Sequence, residues 1–547
     1  MGAGADISAP EPTLAAIEDR PLREILSIAA PSIVTMTSYT VMQFVDGLMV
    51  SRIGPEPVYV AAQGNGGVIA WLMMSVVLGL TGVVNTFVSQ NLGAGKPREG
   101  AGYAWNAVYI SIAAWLIMMV PAAIFADELF GIRDAIVSAV GAADTGSPDS
   151  IAPDASAAGS AAAAEEAAAL SRYQVEYART MLFGAVFVVA GRALGHYFYG
   201  MHRPAIVMVA ALAGNVVNLG ANLVLIFGEN GLPVPSSLDG SVAGTVLGSA
   251  AAASGAVAGF LGIPALGVGG AAIGSVLGAA IEFVLPVAVF LSPVYARTLG
   301  TRVAWRPDWK KIKDLLRIGW PAGAMFGNEL FCWSYLMAVL LAAGGRAAGE
   351  DPVLHNTAGW IGLRYMHLSF MPAVGISIAI TAVVGKCMGM GRPDLAASRT
   401  WLAVRLGVLY MGLCAVCFLF FGPWLVTRFI PGDMPPDEVR ELTRIGTQVM
   451  VAAAIFQLFD AIAIVLSGAL RGAGDTVWPG IATMLLSWGC IVGGGHLLIV
   501  VAPGLGSIGP WIGAAAFIIL LGTALLMRFL AGKWRTLDLV DGGRNHA

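Results

Sequence analysis

The 547-residue chain has little charge, few histidines and few cysteines. Charged residues make up 12% of it and hydrophobic residues 57%, with a mean hydropathy of +0.76. Because soluble domains carry roughly 25% charged residues, this composition excludes a water-soluble globular fold. Cys414 and Cys417 form a C-x-x-C inside an apolar run, without a second pair or a histidine cluster beside it. We therefore expect no metal or redox centre and no cofactor.

The sequence also lacks the motifs of an enzyme. It contains no H-E-x-x-H segment, no Ser-His-Asp spacing and no cofactor-binding loop. The turn G-A-G-K-P at 93–97 lacks the Walker spacing, so a tight basic turn at lipid headgroups is the better interpretation. The net charge of −3 argues against a nucleic-acid partner. The first 25 residues contain five acidic residues and no apolar segment, so we expect no cleavable signal peptide.

Long apolar runs recur along nearly the whole chain. Runs of 18 or more apolar residues predict membrane-crossing helices, so the fold class is an all-α integral membrane protein with twelve transmembrane helices. The predicted spans are 26–51, 58–84, 101–126, 173–200, 204–228, 266–292, 316–342, 357–383, 396–422, 441–469, 476–501 and 508–531.

The charges of the connecting segments alternate along the chain. Basic connections, of which Arg297 to Lys313 is the richest, alternate with acidic or neutral ones. By the positive-inside rule both termini are cytoplasmic, and we expect a multi-pass protein of a bacterial cytoplasmic (inner) membrane. Two external insertions are expected, at about 127–170 and 229–265. The first includes the low-complexity stretch 141–169, with a short helix near Ala161–Leu170. In the second, 240–262 is uncharged and long enough to be a further span, but its Gly, Ala and Ser content favours a loop or lid.

The chain repeats itself at a separation of about 290 residues. "REILSIAAP" (23–31) matches "KDLLRIGWP" (313–321), and "SQNLGAGKPREGAGYAW" (89–105) matches "GKCMGMGRPDLAASRTW" (385–401). Such parallel repeats predict two pseudo-symmetric six-helix lobes with a substrate cavity between them. The predicted organisation is a tail (1–25), an N-lobe (26–292), a linker (293–315), a C-lobe (316–531) and a second tail (532–547).

Four acidic residues lie well inside the predicted spans, away from their ends. An ionised carboxyl at a helix centre costs roughly 2.5–3.5 kcal/mol, so intramembrane acids are candidates for function. The residues are Asp46, Glu282, Glu329 and Asp460, with Gln43 and Gln457 each three positions before an aspartate. Glu282 could pair with Arg192 or His196 or serve transport. Arg364 and His367 share a helix face and could neutralise Glu329 or Asp460, or bind an anionic substrate.

Several motifs, in order along residues 22–532, carry a family resemblance. They are "VDGLMVSRIG", "SQNLGAGKP", "NLGANLVLIFG", "LGVGGAAIGS", "FMPAVGISIA" and "FQLFDA…SGALRGAGDT". The chain resembles the multidrug and toxic compound extrusion (MATE) transporters. This resemblance implies a secondary-active antiporter that exports organic compounds in exchange for H+ or Na+ by alternating access.

The resemblance also implies which residues bind the coupling ion. In the N-lobe they are Asp46, Asn218, Asn222 and Ser275, with Gln43 nearby and Pro31 allowing the first helix to bend. In the C-lobe Glu329 and Asp460, with Gln457 one turn before Asp460, would bind the coupling cation or a cationic substrate. Asn222 stands where the family has an acid. Because an amide contributes no charge, Na+ would bind these N-lobe oxygens only weakly.

Two other functions stay open at this stage. A lipid-linked precursor flippase of the same superfamily is favoured slightly by Arg364 and His367, and a channel-like membrane module is disfavoured by the repeat. The expected partners are a small-molecule substrate and the lipid bilayer, with the protein functional as a monomer.

Overall fold

The computed structural model describes residues 20–54, 58–132, 157–234, 241–430, 434–537 and 539–540. Within these ranges the chain forms helices and no strands. The long helices are α1 Pro21–Val50, α2 Val58–Gly93, α3 Pro97–Ile124, α4 Ala157–Gly200, α5 Pro204–Phe227, α6 Val242–Leu261, α7 Gly267–Phe290, α8 Trp309–Ala347, α9 Pro352–Gly389, α10 Pro393–Thr427, α11 Pro436–Ala473, α12 Val477–Val501 and α13 Ile508–Leu530. The tails 1–19 and 541–547 and the low-complexity stretch 133–156 lie outside the described residues.

Proline and glycine set many of the helix ends. Six long helices begin at a proline, whose missing N–H is one of the donors that a first turn leaves unpaired anyway. These residues are Pro21, Pro97, Pro204, Pro352, Pro393 and Pro436. α11 ends at Gly474, whose φ of 94° lies in the region that only glycine adopts freely. α1 continues through Pro31 as a single helix.

All twelve predicted spans are confirmed as helices, and several are longer than predicted. α8 begins at Trp309, so the linker is shorter than the predicted 293–315 and contains a two-turn helix, Pro293–Leu299. α4 begins at Ala157, which makes the last part of the predicted insertion 127–170 a regular extension of the fourth span. Alanine-rich sequence has the highest helix propensity, which explains this extension.

A thirteenth helix, α6, occupies the segment expected to be a loop or lid. Ser241 caps it by accepting a hydrogen bond from the Gly244 N–H at 2.9 Å. The helix is long and apolar enough to cross a membrane, but only 11% of the stretch Gly244–Leu261 is buried inside the protein. The Leu266 N–H donates to the Leu225 carbonyl at 2.9 Å, so the chain leaves α5 and enters α7 at the same end of the bundle. α6 is therefore an excursion at that end, and the count of twelve spans holds.

The helices pack as two groups. α1 to α5 and α7 form the N-lobe, in which α7 packs on α4 and α5, α2 on α4, and α1 on α5. α8 to α13 form the C-lobe around α11, which contacts α9, α10 and α13. The groups meet where α8 packs against α2 and where α9 packs against α1 and α2.

Glycines allow the two lobes to touch backbone to backbone. A Cβ atom on Gly93 would lie 2.1 Å from the Lys386 carbonyl oxygen, and one on Gly389 would lie 1.9 Å from that of Gln90. These contacts lie at the end of the bundle that carries the linker and the start of α1, which we call the linker end. Small residues permit such approaches in membrane helices.

Polar contacts between the lobes are concentrated at the linker end. Side chains of α2 donate to carbonyl groups of the C-lobe: Asn85 to Ile378 at 3.1 Å, Thr86 to Arg471 at 2.8 Å and Gln90 to Gly472 at 3.0 Å. The structure therefore captures the lobes closed against each other at the linker end.

Candidate functional site

Four of the predicted N-lobe residues form one chain of hydrogen bonds. The Asn222 Nδ2 group donates to Asp46 Oδ1 at 2.7 Å and lies 3.2 Å from Asn218 Oδ1, while Asn218 Nδ2 donates to Ser275 Oγ at 3.3 Å. The chain links α1 to α7 through α5. It presents several oxygen atoms and a single carboxylate, which suits a proton or a weakly held hard cation.

Two glycines of α7 make room for the asparagines. A Cβ atom on Gly274 would lie 2.0 Å from Asn222 Oδ1, and one on Gly278 would lie 2.8 Å from Asn218 Cβ. Their i, i+4 spacing places both on one helix face. Asn222 Oδ1 is buried and accepts no hydrogen bond within the described residues, so it is a spare acceptor beside Asp46.

The surroundings of this cluster differ from the expectation in two ways. Gln43 is exposed and has no hydrogen bond to the cluster in the described part of the chain. Tyr177 of α4, which was not predicted, is 6% exposed and lies near Gln63 and Ser275. No pattern in the sequence distinguishes Tyr177 or Gln63 from other polar residues on long membrane helices. Their place beside the cluster becomes visible only when the packing of the helices is known.

In the C-lobe, Glu329 of α8 and Asp460 of α11 are close enough to interact electrostatically. Both are partly exposed, and across residues 241–430 and 434–537 neither carboxylate has an ion-pair or hydrogen-bond partner. Gln457 is not part of this pair, because its Nε2 donates to Ser369 Oγ at 2.8 Å and so ties α11 to α9.

The residue beside Glu329 makes a polar contact that the sequence did not suggest. Asn328 donates to Ser487 Oγ at 2.7 Å and accepts from Trp488 Nε1 at 2.6 Å. Ser487 opens a π-helical stretch of α12, Ser487–Gly494. Widened turns of this kind are frequent at functional sites, since they redirect side chains and loosen the backbone ladder.

The expected charge partners do not reach the C-lobe acids. Arg364 is exposed, with its guanidinium 5.6 Å from the centre of the Phe429 ring, and forms no ion pair with Glu329 or Asp460 among the described residues. His367 has a buried Nε2 without a hydrogen-bond partner there. The suggested neutralisation of the acids by Arg364 and His367 is thus absent, because their helix face is turned toward other neighbours.

Glu282 joins a cluster in which a tyrosine stands between opposite charges. The Tyr39 hydroxyl donates to Glu282 Oε2 at 3.0 Å, and the Arg192 guanidinium lies 3.8 Å from the centre of the Tyr39 ring. Of the two expected partners, Arg192 is therefore brought near Glu282, with Tyr39 between them.

Comparison with known proteins assigns the family. The MatE family model matches residues 31–138 and 324–491, one segment in each lobe. The chain belongs to the MatE family. Members of this family are transporters rather than enzymes.

Relatives match this MatE chain along nearly its whole length. A probable multidrug resistance protein NorM from Mesorhizobium japonicum is 24% identical over 521 residues, covering 93% of each chain. One from Thermotoga maritima is 25% identical over 525 residues, covering 94% of this chain and 93% of the relative. Among solved structures, an outward-facing multidrug resistance MATE family transporter aligns with a TM-score of 0.71 at 18% identity, covering 94% of this chain and 96% of that one. The fold is thus the two-lobe, twelve-span MATE fold.

Proposed function

We propose that this chain is a secondary-active antiporter that exports small organic compounds in exchange for H+ or Na+. The observation that carries the proposal is the presence, in each lobe, of intramembrane carboxylates that have no basic partner among the described residues: Asp46 in one lobe, Glu329 and Asp460 in the other. An ionised carboxyl in the membrane is costly. A proton or cation that binds to such a carboxyl lowers that cost, so its binding is favourable. The relatives described above are probable multidrug resistance proteins, which supports organic compounds as the cargo.

The closed linker end supports alternating access. Antiport requires that ion and cargo favour opposite-facing states to different extents. If the basic connections face the cytoplasm, as the positive-inside rule proposes, the linker end is cytoplasmic and this conformation faces outward. On the same basis we place the protein in a cell membrane with both termini cytoplasmic, and we propose that it works as a monomer because each lobe holds its own ion site.

The test is export measured with each gradient imposed separately. Purified protein in liposomes is supplied with rhodamine 123, a fluorescent cation, under a pH gradient alone or a sodium gradient alone. We expect uphill movement with at least one gradient, and its loss in Asp46→Asn and in Glu329→Gln with the protein still inserted and folded. Asp437→Asn is the matched control, since its carboxyl is 88% exposed in a surface ion pair with Arg440.

The result identifies the coupling role. If both variants export rhodamine 123 at the wild-type rate under each gradient, Asp46 and Glu329 have no role in coupling. Dissipative movement in the wild type, with no uphill phase, would instead indicate a channel-like module.

A further inference from the structure

A groove runs along the first turns of α8, at the linker end. Its volume is about 540 Å³, and it is lined by six side chains of this one helix: Trp309, Ile312, Lys313, Leu316, Arg317 and Trp320. The tryptophans at its two ends are 78% and 51% exposed, and about 16 Å of helix separates them. The groove is therefore long and open, a shape that suits an elongated molecule better than a single small ion.

The groove lies on the face of α8 that is turned away from the other helices. The opposite face carries the fully buried Leu315 and two glycines, and it packs on α2. A Cβ atom on Gly319 would lie 2.4 Å from the Leu80 carbonyl oxygen, and one on Gly323 would lie 2.5 Å from that of Val76. Because the lobes are closed together at this end, the exposed face of α8 is presented to the surrounding membrane and not to a cavity between the lobes.

The surface around the groove carries an excess of positive charge. Residues 297–317 contain seven basic and two acidic side chains. Both acids already have hydrogen bonds, since Asp308 caps α8 by accepting backbone N–H groups and Asp314 accepts from the Tyr103 hydroxyl at 3.3 Å. In the part of the chain that the structure describes, Lys313 is exposed and has no ion-pair partner. The groove therefore has charge available for an anion.

Two cations between tryptophans at a membrane surface are suited to an anionic lipid. Lys313 and Arg317 are four residues apart on one helix face, so a single phosphate group can contact both. Tryptophan is enriched at the interface between membrane and water, and clusters of Lys and Arg beside a membrane helix attract anionic headgroups. A headgroup without an ammonium group gains from both cations, whereas a choline headgroup brings its own positive charge to a surface that is already positive.

We propose that this groove binds an anionic phospholipid, with its phosphate at Lys313 and Arg317 and the start of an acyl chain beside Leu316 and Trp320. The site lies away from the proposed ion sites and does not depend on the proposed export function. It is on the same helix as Glu329, and the other face of that helix forms part of the contact between the lobes.

The test is native mass spectrometry of the intact protein in detergent, which identifies each bound lipid by its mass. Phosphatidylglycerol and phosphatidylcholine with the same acyl chains are titrated separately. We expect the first phosphatidylglycerol to bind more tightly than the first phosphatidylcholine. Lys313→Gln and Arg317→Gln should each weaken that phosphatidylglycerol by about fivefold, and the double variant by about 25-fold, with phosphatidylcholine unchanged. Lys313→Arg, which keeps the charge, should keep the affinity.

The controls separate the alternatives. Arg428→Gln should change neither lipid, since Arg428 is an exposed arginine 4.6 Å from the centre of the Trp424 ring but lies outside the groove. Equal weakening of both lipids by Lys313→Gln, or no change in either, would overturn the site. Displacement of phosphatidylglycerol by glycerol 3-phosphate would assign the cations to a soluble phosphate. A mass of two chains that Lys313→Gln abolishes would assign the groove to a second copy of this chain; both results overturn the proposal.

Discussion

An ion pair at the linker end offers a direct test of how the lobes are held closed. Arg399 Nε of α10 donates to Glu24 Oε2 of α1 at 2.9 Å, and the two side chains are only 4% and 10% exposed. The pair therefore joins the C-lobe to the N-lobe across a nearly dry contact. If the lobes separate at this end, both charges return to water.

The size of the effect follows from this burial. Removing one member of a buried ion pair costs roughly 3–5 kcal/mol, because the other charge stays desolvated without a partner. Lys386, which also interacts with Glu24, would then face Arg399 with a charge of the same sign. Separation of the lobes relieves this cost. A free-energy change of about 1.4 kcal/mol changes an equilibrium constant tenfold. Glu24→Gln should therefore shift the equilibrium toward separation of the lobes by about two orders of magnitude or more.

Cysteine accessibility measures that shift. Ser89 of α2 is fully buried in the lobe contact, where a Cβ atom on Gly385 would lie 1.9 Å from its Oγ. A nearly isosteric Ser89→Cys, in a chain whose five native cysteines are replaced, should react with a membrane-impermeant maleimide only when the lobes part. We expect labelling at least ~10-fold faster with Glu24→Gln, and a return toward the slow rate when Arg399→Gln is added, since the buried guanidinium that lost Glu24 is then removed as well.

The control is a more exposed pair at the same end. Lys311 Nζ lies 2.7 Å from Glu99 Oε2, but the Glu99 side chain is 55% exposed, so the pair is worth about 0–1 kcal/mol. Glu99→Gln should change labelling little. Equal acceleration by Glu99→Gln and Glu24→Gln, or no acceleration by either, would refute the reasoning from burial.

Three further predictions follow from the geometry. Gly274→Ala should push Asn222 away from Asp46 and slow gradient-driven export, whereas Gly220→Ala, which meets no atom within 4 Å, should not; equal export rates in liposomes would contradict this. Gly385→Ala should hinder closure at the linker end and speed maleimide labelling of Ser89→Cys, and slow labelling would contradict it. Gln457→Leu removes a buried hydrogen bond worth about 1 kcal/mol, so it should lower the melting temperature while uphill export is retained. Loss of export at unchanged stability would instead place Gln457 in the proposed ion site.

The sequence predicted the helices well because the membrane imposes a strong rule. Every backbone polar group in the bilayer must be paired within a helix or a closed barrel, so apolar runs become helices almost regardless of other context. At 240–262 the sequence did not predict the helix, because the apolar signal is weak there. Gly, Ala and Ser give a weak hydropathy signal, and only the contact between Leu225 and Leu266 shows that α6 leaves and rejoins the bundle at one end.

Most residues of the candidate site could be predicted from the sequence, but the contacts between them could not. Asp46 could be named because acids are rare in such helices, and Asn218, Asn222 and Ser275 because the resemblance to MATE transporters implied them; the structure brings all four together. Gln457 could not be assigned in this way. Its spacing from Asp460 places it one turn away on a helix, yet the rotation of α11 turns it toward α9, and that rotation is fixed by packing between helices that no single segment encodes.

One helix connects the proposed ion site of the N-lobe to the closed linker end. α1 carries Glu24 in the buried ion pair with Arg399 and, 22 residues later, Asp46 in the hydrogen-bonded cluster. Between them, Ile33 touches α9 so closely that a Cβ atom on Gly375 would lie 2.7 Å from its backbone nitrogen. Coupling requires that an ion interact differently with the two states of the transporter. Because α1 packs against α9 of the C-lobe, a movement that opens the linker end acts on the same helix that positions Asp46 against Asn222. We therefore expect the affinity of that carboxylate for a proton or cation to differ between the two states.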